Sequence, residues 1–470
     1  MGYAMNLLYI GRQAAAGVLI GGGMFICAFG AMKPLENNMR TWDNLGTAAG
    51  GARNLTAADF HSPREDGKFE SSLAWAMSLL RKMKPLYDAD NVRTAEELPV
   101  WRGKIRAKLK DLLQVRDDLS FEFKPVEKVR RPGYVLVKYE FNPYEDLVVR
   151  AWALVPDAAM RSGAKVPAVV CMPGNGSSLE SLTGEEDHCF TRYPVRNKQA
   201  WYYAKAGMIA IAMENPASAN NSIKGVNYFL TQRCYFEMMQ RVGMSAWGVA
   251  TEQVLACVDF LRRDPRVDKE RIAVSGMSLG CFSILYAAVL SDDVKAIVYN
   301  DFACSWAQRA MSVTERPNGA SAYAARDMVG SYRWFDDQPD LMAALAPRPL
   351  FLVEDGHGKG VVDKVRRVYG LAGASDKLKF RRYPKFSDDS TRRFDQVDLK
   401  RTEGLSDEDF LVYSNVDVSQ HSFHPDACLP WLSRVFGQDP AGYPEDLKAE
   451  IATAVAEHEH FPTKAPARNR

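Results

Sequence analysis

The sequence is short of several things a function could be built on. Its 470 residues carry 60 Lys plus Arg against 58 Asp plus Glu, a formal charge of +2. So close a balance provides no field to gather nucleic acid or another polyanion, and no nucleic-acid partner is expected. Histidine is scarce: the seven are His61, His188, His357, His421, His424, His458 and His460. Any chemistry that needs an imidazole therefore has few owners to choose from. Eight cysteines are present, but no CxxC pair and no Cys/His spacing suited to a metal, so a structural zinc site is not expected; the chemistry read from the motifs below needs neither metal nor organic cofactor. Cys171, Cys257 and Cys281 lie inside apolar runs and read as buried free thiols. There is no internal repeat, which argues against a solenoid or propeller.

Long hydrophobic runs are equally rare. Residues 14–31 carry no charge between Arg12 and Lys33 and resemble the apolar core of a secretory signal, with Ala28 and Gly30 as small residues for a signal peptidase. At about 18 residues the run just reaches membrane-spanning length, and its glycines make it a weak anchor. Met24, Phe25 and Ile26 are bulky where a lipidated cysteine at position 27 would want small neighbours. Residues 1–31 are thus expected to be a signal peptide or N-terminal anchor. The chain would then be exported, periplasmic or extracellular, with no stable membrane span after cleavage.

What is present is an ordinary globular composition, 47% hydrophobic and 25% charged. Residues 32–125 divide into a polar, Gly-rich linker and a helical arm whose apolar residues recur three and four apart. From Gly133 the period becomes two: GYVLVKYEF and DLVVRAWALV read as an antiparallel pair turning at Asn142-Pro143. Short apolar runs then follow at 166–171, 208–213, 272–275, 294–299, 349–353 and 378–383. Helical patterns lie between them, notably at 247–262 and 279–290. Alternation of this kind implies an α/β domain over 126–440, a mostly parallel sheet with helices on both faces. Residues 387–417 form a polar insertion, and 441–470 an exposed helical tail.

One motif stands in a setting that gives it chemistry. Gly276-Met277-Ser278-Leu279-Gly280 follows the run RIAVS and opens the helical pattern LGCFSILYAAVL. G-x-S-x-G between a strand and a helix is a sharp turn that lifts a serine hydroxyl above the sheet edge, beside helix-start amides that can stabilise an oxyanion. The Leu279 amide is one expected donor. A second should come from Pro173-Gly174-Asn175-Gly176, directly after VPAVVC, with Asn175 ahead of Gly176. A serine nucleophile needs a base that, in this chain order, follows the last strand. That leaves His421 and His424, and His421 is favoured because it precedes a helix in a loop able to fold back over the sheet edge. The acid stays open between Asp301, after the strand VKAIVYN, and Glu354, at the end of PLFLVE.

These segments resemble α/β-hydrolases of the acetyl xylan esterase and dienelactone hydrolase type. The likeness spans roughly 101–436 and rests on WRGKIRAKLKDLL, AVVCMPGNG, RRDPRVDKERIAVSGMSLG, DLMAALAPRPLFLVEDG and QHSFHPDACLPWL. It implies an α/β-hydrolase fold with an eight-stranded sheet, a Ser-His-acid triad, and hydrolysis of acyl or methyl esters on plant-type polysaccharides. Ser278 takes the nucleophile's place and His421 the base's. The chain departs from the pattern after Gly356, where relatives carry Asp about three residues on and this chain has His357, Gly358 and Lys359. Also, Met172-Pro173-Gly174 replaces the His-Gly start of many relatives' oxyanion loops. Two other functions are weighed against the esterase. The missing Asp suggests a catalytically weakened carbohydrate-binding protein. A serine peptidase of the prolyl oligopeptidase type is disfavoured, since some 100 residues before the first strand cannot build its propeller. Tyr332 and Trp334 could stack on sugar rings or cover the core.

Overall fold

A computed structural model of the chain describes residues 64–186, 197–222, 228–301, 330–355, 359–383 and 421–459. The expected signal segment 1–31, the insertion 387–417 and His61, His188, His357 and His460 lie outside the described residues.

Among the described residues, nine strands form one sheet. Strands β1 (Lys124–Arg131), β2 (Tyr134–Tyr144) and β3 (Leu147–Pro156) make an antiparallel meander. After them come β4 (Val166–Met172), β5 (Ile209–Met213), β6 (Val267–Met277), β7 (Ala296–Asn300), β8 (Leu350–Asp355) and β9 (Leu378–Arg382). The order is β1-β2-β3-β5-β4-β6-β7-β8-β9, and every pairing from β5 to β9 is parallel. This is one strand more than the eight expected. The addition is β1, KPVEKVRR, an edge strand whose side chains are mostly exposed, so no apolar alternation marks it. The hairpin turn also lies further on than Asn142-Pro143: β2 continues through a register shift to Tyr144, and Leu147 pairs with it. Pro143 sits inside that irregularity, where the ladder does not need its missing N–H.

The helices are α1 (Ser72–Lys82), α2 (Leu98–Leu113), α3 (Leu179–Thr183), α4 (Gln199–Lys205), α5 (Tyr228–Arg241), α6 (Ala246–Arg263) and α7 (Gly280–Leu290). Then come α8 (Pro339–Ala344), α9 (Lys359–Leu371), α10 (Pro425–Val435) and α11 (Glu445–Glu459).

The central strands are buried on both sides, and their alternate residues feed two cores. Ala168, Val170 and Met172 join Ile272, Val274, Ile297 and Leu352 on one face, covered by α2, α6, α7, α8 and α9. Val169 and Cys171 join Ala273, Val298, Phe351 and Val353 on the other, under α4, α10 and α11. Helix α2 belongs to the first core: Leu98, Trp101, Ile105, Leu109 and Leu113, spaced at three and four, are all buried. The tail helix α11 is less exposed than its composition suggests, because Leu447 and Ala454 are fully buried. Trp334 packs on Tyr87 with the Lys108 ammonium 4.3 Å over its ring, so it covers the core rather than presenting a stacking face. Cys171, Cys257, Cys281 and Cys428 are buried free thiols, each pushed up by burial.

Candidate active site

At the junction of β6 and α7, Ser278 adopts φ +49°, a left-handed conformation costly for a residue with a side chain. Two glycines make the turn possible. A Cβ on Gly276 would lie 2.9 Å from the backbone of Cys281, and one on Gly280 would lie 2.6 Å from the Met172 carbonyl at the end of β4. The Ser278 N–H donates to the Asn300 carbonyl at 3.0 Å, tying the turn to the last residue of β7. Helix α7 that follows is apolar on every side and buried from Gly280 to Val289, so the turn stands on a rigid base.

The imidazole arrives from the segment before α10. Ser278 Oγ and His421 Nε2 are 2.9 Å apart, and His421 Nδ1 is 2.7 Å from Glu354 Oε2. In the tautomer that satisfies both contacts, Nδ1–H donates to the carboxylate and Nε2 accepts the serine proton. Glu354 is fully buried at the end of β8. Its Oε2 also receives the Tyr383 hydroxyl from the end of β9, and its Oε1 receives Asn300 Nδ2 at 2.6 Å. Asp301, the other expected acid, is buried too, but its Oδ1 lies 3.9 Å from His421 Nδ1, beyond hydrogen-bond range. His424 is brought near through its backbone: its N–H donates to Asn300 Oδ1 at 3.0 Å, while its ring is buried.

Asn300 is the residue sequence reasoning missed. Its side chain accepts from His424 N–H and donates to both Glu354 and the Ser422 carbonyl (2.8 Å), while its own carbonyl holds Ser278. One amide thus fixes the serine turn, the carboxylate and the histidine loop relative to one another. Its position as the last residue of β7, beside the sheet edge that carries Ser278, was the available signal. Tyr383 was missed as well, since nothing local distinguishes a tyrosine at a strand end.

The loop after β4 runs beside the serine: a Cβ added to Gly174 would come 3.3 Å from Ser278 Cβ. Asn215 Nδ2 holds the Pro173 carbonyl at 2.6 Å, and the Gly176 amide donates to Ser218 Oγ at 3.0 Å. Among the described residues the Asn175 and Leu279 amides have no acceptor, which separates Asn175 from its neighbour Gly176. Behind the loop, buried Glu214 accepts from the Leu179 amide at 3.0 Å and faces Arg150. Burial raises its pKa above the ordinary carboxylate value, and the amide and Arg150 oppose that rise.

Asp301, Glu354 and His421 also place ligand-type atoms within 4.8 Å of one another. The 2.7 Å between Nδ1 and Oε2 is a hydrogen-bond separation, shorter than two ligands about 2.0–2.2 Å from a tetrahedral ion would adopt. These residues as arranged do not fit a metal centre. They can move a proton from a hydroxyl to an imidazole whose cation a carboxylate stabilises.

Comparison with known proteins bears on the family and the fold. No curated protein matches the chain in sequence. A solved structure from Bacteroides fragilis NCTC 9343, assigned as an acetyl xylan esterase, is similar at 29% identity and a TM-score of 0.71, covering 81% of this chain and 98% of that one. Acetyl xylan esterase 1 from Thermoanaerobacterium sp. JW/SL YS485 is 13% identical, with a TM-score of 0.39 over 65% of this chain and 91% of its own. A glucuronoyl esterase from Solibacter usitatus is 12% identical, with a TM-score of 0.40 over 69% of this chain and 94% of its own. The family model described as Abhydrolase family matches residues 54–434, and the chain belongs to that α/β-hydrolase family.

Proposed function

We propose that the protein is an exported serine esterase that removes acyl or methyl groups from plant-type polysaccharides. The observation that carries this reading is the hydrogen-bonded series Ser278 Oγ, His421 Nε2, His421 Nδ1 and Glu354 Oε2, at 2.9 and 2.7 Å. Ser278 Oγ attacks the ester carbonyl carbon as its proton passes to His421 Nε2. Glu354 orients the ring and stabilises the imidazolium. The Leu279 and Asn175 amides receive the oxyanion, and the collapsing intermediate expels the alcohol, which takes the proton from His421. Water, deprotonated by the same ring, then releases the acid and frees the serine.

The hydrogen bond between Glu354 and His421 supplies an acid partner for the imidazole despite the missing Asp, which favours a working enzyme over a weakened binder. The polysaccharide substrate follows the Bacteroides fragilis relative and the resemblance of the motifs. Export rests on residues 14–31; no helix among the described residues is long and apolar enough to cross a membrane. Assay of the purified chain on acetylated xylan, methyl-esterified pectin and small aryl esters tests the substrate. Ser278→Ala should lower turnover by about 10⁴-fold or more and abolish fluorophosphonate labelling. Turnover unchanged in Ser278→Ala, or a wild type that neither labels nor hydrolyses any of the three, overturns the proposal.

A further inference from the structure

At the opposite edge of the sheet, where β7 and β8 begin, lies a hollow of about 250 Å³, against ~30 Å³ for one water in the liquid. Its polar wall is Arg102 and Arg106 from one face of α2, Arg348 two residues before β8, and Asp292 after α7. Three guanidinium groups share a single carboxylate there. Arg106 is committed: Nη1 donates to Asp292 Oδ2 at 2.8 Å, and Nη2 to the Leu290 carbonyl. Arg348 donates from Nη1 to the carbonyls of Ser291 and Val294, at 2.8 and 2.9 Å. Its Nε is buried without an acceptor, and Nη2 has none among the described residues. Arg102 makes no hydrogen bond or ion pair among the described residues, although it lines the same hollow.

Crowded cations of this kind are expensive unless an anion joins them. Burial, together with the charges of Arg102 and Arg106, pushes Arg348 down to about 10. Asp292 cannot balance the group, because its side chain is 74% exposed and already paired with Arg106. Arginine forks suit tetrahedral oxyanions, and hydrogen bonds between such charged partners are among the stronger ones.

We propose that this hollow binds a compact tetrahedral oxyanion, phosphate or sulfate, with Arg102 and Arg348 as its principal donors. The hollow exceeds what the oxyanion alone fills, so the group could be free or carried on a sugar-sized ester. It lies at the edge away from Ser278 and serves binding, independent of the proposed hydrolysis.

Titration calorimetry of the full chain, at constant ionic strength with chloride as the balancing anion, tests this with inorganic phosphate and with glucose 6-phosphate. Saturable binding of at least one is expected. The tighter of the two identifies the free or the esterified source. Arg102→Gln should weaken it by about 10-fold, the value of one charge-assisted hydrogen bond. Asp292→Asn should tighten it several-fold, because a competing carboxylate is gone. Arg102 is a partly buried helix residue with no hydrogen bond or ion pair among the described residues, so its replacement should spare the fold, checked by an unchanged melting temperature in chloride. No saturation in the wild type, or affinity unaltered in Arg102→Gln, overturns the site. Neither readout depends on esterase activity, so its failure and that of the hydrolase reading are separable.

Discussion

At the carboxyl-terminal edge of the sheet, Glu354 has three donors for its two oxygens: His421, Tyr383 and Asn300. At the amino-terminal edge, Arg102, Arg106 and Arg348 share the one carboxylate of Asp292. Both edges remove charge from water, but only the first compensates it from within the chain. A buried carboxylate with both oxygens engaged holds one geometry, which the proposed proton relay requires. A surplus of guanidinium groups is instead a demand for something from outside. Two clusters of similar residue count, one buried and one partly open to water, can thus differ in whether the chain itself completes them, and the census of partners tells them apart.

The comparison can be broken most severely at the first edge. Glu354→Gln should keep the fold but lose the carboxylate that sets the imidazole's tautomer, lowering kcat by about 10³–10⁴-fold. If turnover stays within a few-fold, Glu354 is not the acid. Tyr383→Phe removes one hydrogen bond to that carboxylate and should lower kcat by about 10-fold with KM little changed. An effect confined to KM would instead make Tyr383 a substrate contact. Asp301→Asn should cost only a few-fold, given the 3.9 Å separation from Nδ1; a loss matching that of Glu354→Gln would reverse the assignment of the two carboxylates.

The smallest effect belongs to the other edge. The hydrogen bond from Arg106 holds Asp292 below the usual carboxylate range, and the charges of Arg106, Arg348 and Arg102 act the same way. A folded pKa that is lowered means stability present above the unfolded value near 3.8 and lost as pH falls through the folded value. Asp292→Asn should therefore destabilise the chain at pH 7, by less than about 1 kcal/mol because the side chain is exposed. In urea unfolding the deficit should shrink as pH falls below that unfolded value. A deficit that stays constant would point to packing rather than charge.

Much of the parallel sheet was legible because its strands are buried on both faces. Runs such as VPAVVC and IAVS have to be apolar throughout, and Ala168 and Val169 face different cores. The edge strand β1 was not legible, since a strand that pairs on one side and faces water need not alternate. Trp334 showed the same limit from the other direction. An aromatic beside an arginine reads equally as a sugar platform or as a cover for the core, and its contact with Tyr87 is a matter of tertiary packing.

The sequence by itself determined the serine turn, because Gly276 and Gly280 answer to steric limits within a few residues and the next element along the chain. It also narrowed the imidazole to two residues, because chain order constrains which loops reach the sheet edge. Only the tertiary structure decided which carboxylate hydrogen-bonds His421. Asp301 and Glu354 are both buried at adjacent strand ends, and about 1 Å in side-chain reach, set by Asn300 and Tyr383, separates a hydrogen bond from a near neighbour. Likewise, nothing local could reveal that Arg102, Arg106 and Arg348 meet. They are brought together by packing α2 against α7 and α8, and their charges matter only once they share one hollow.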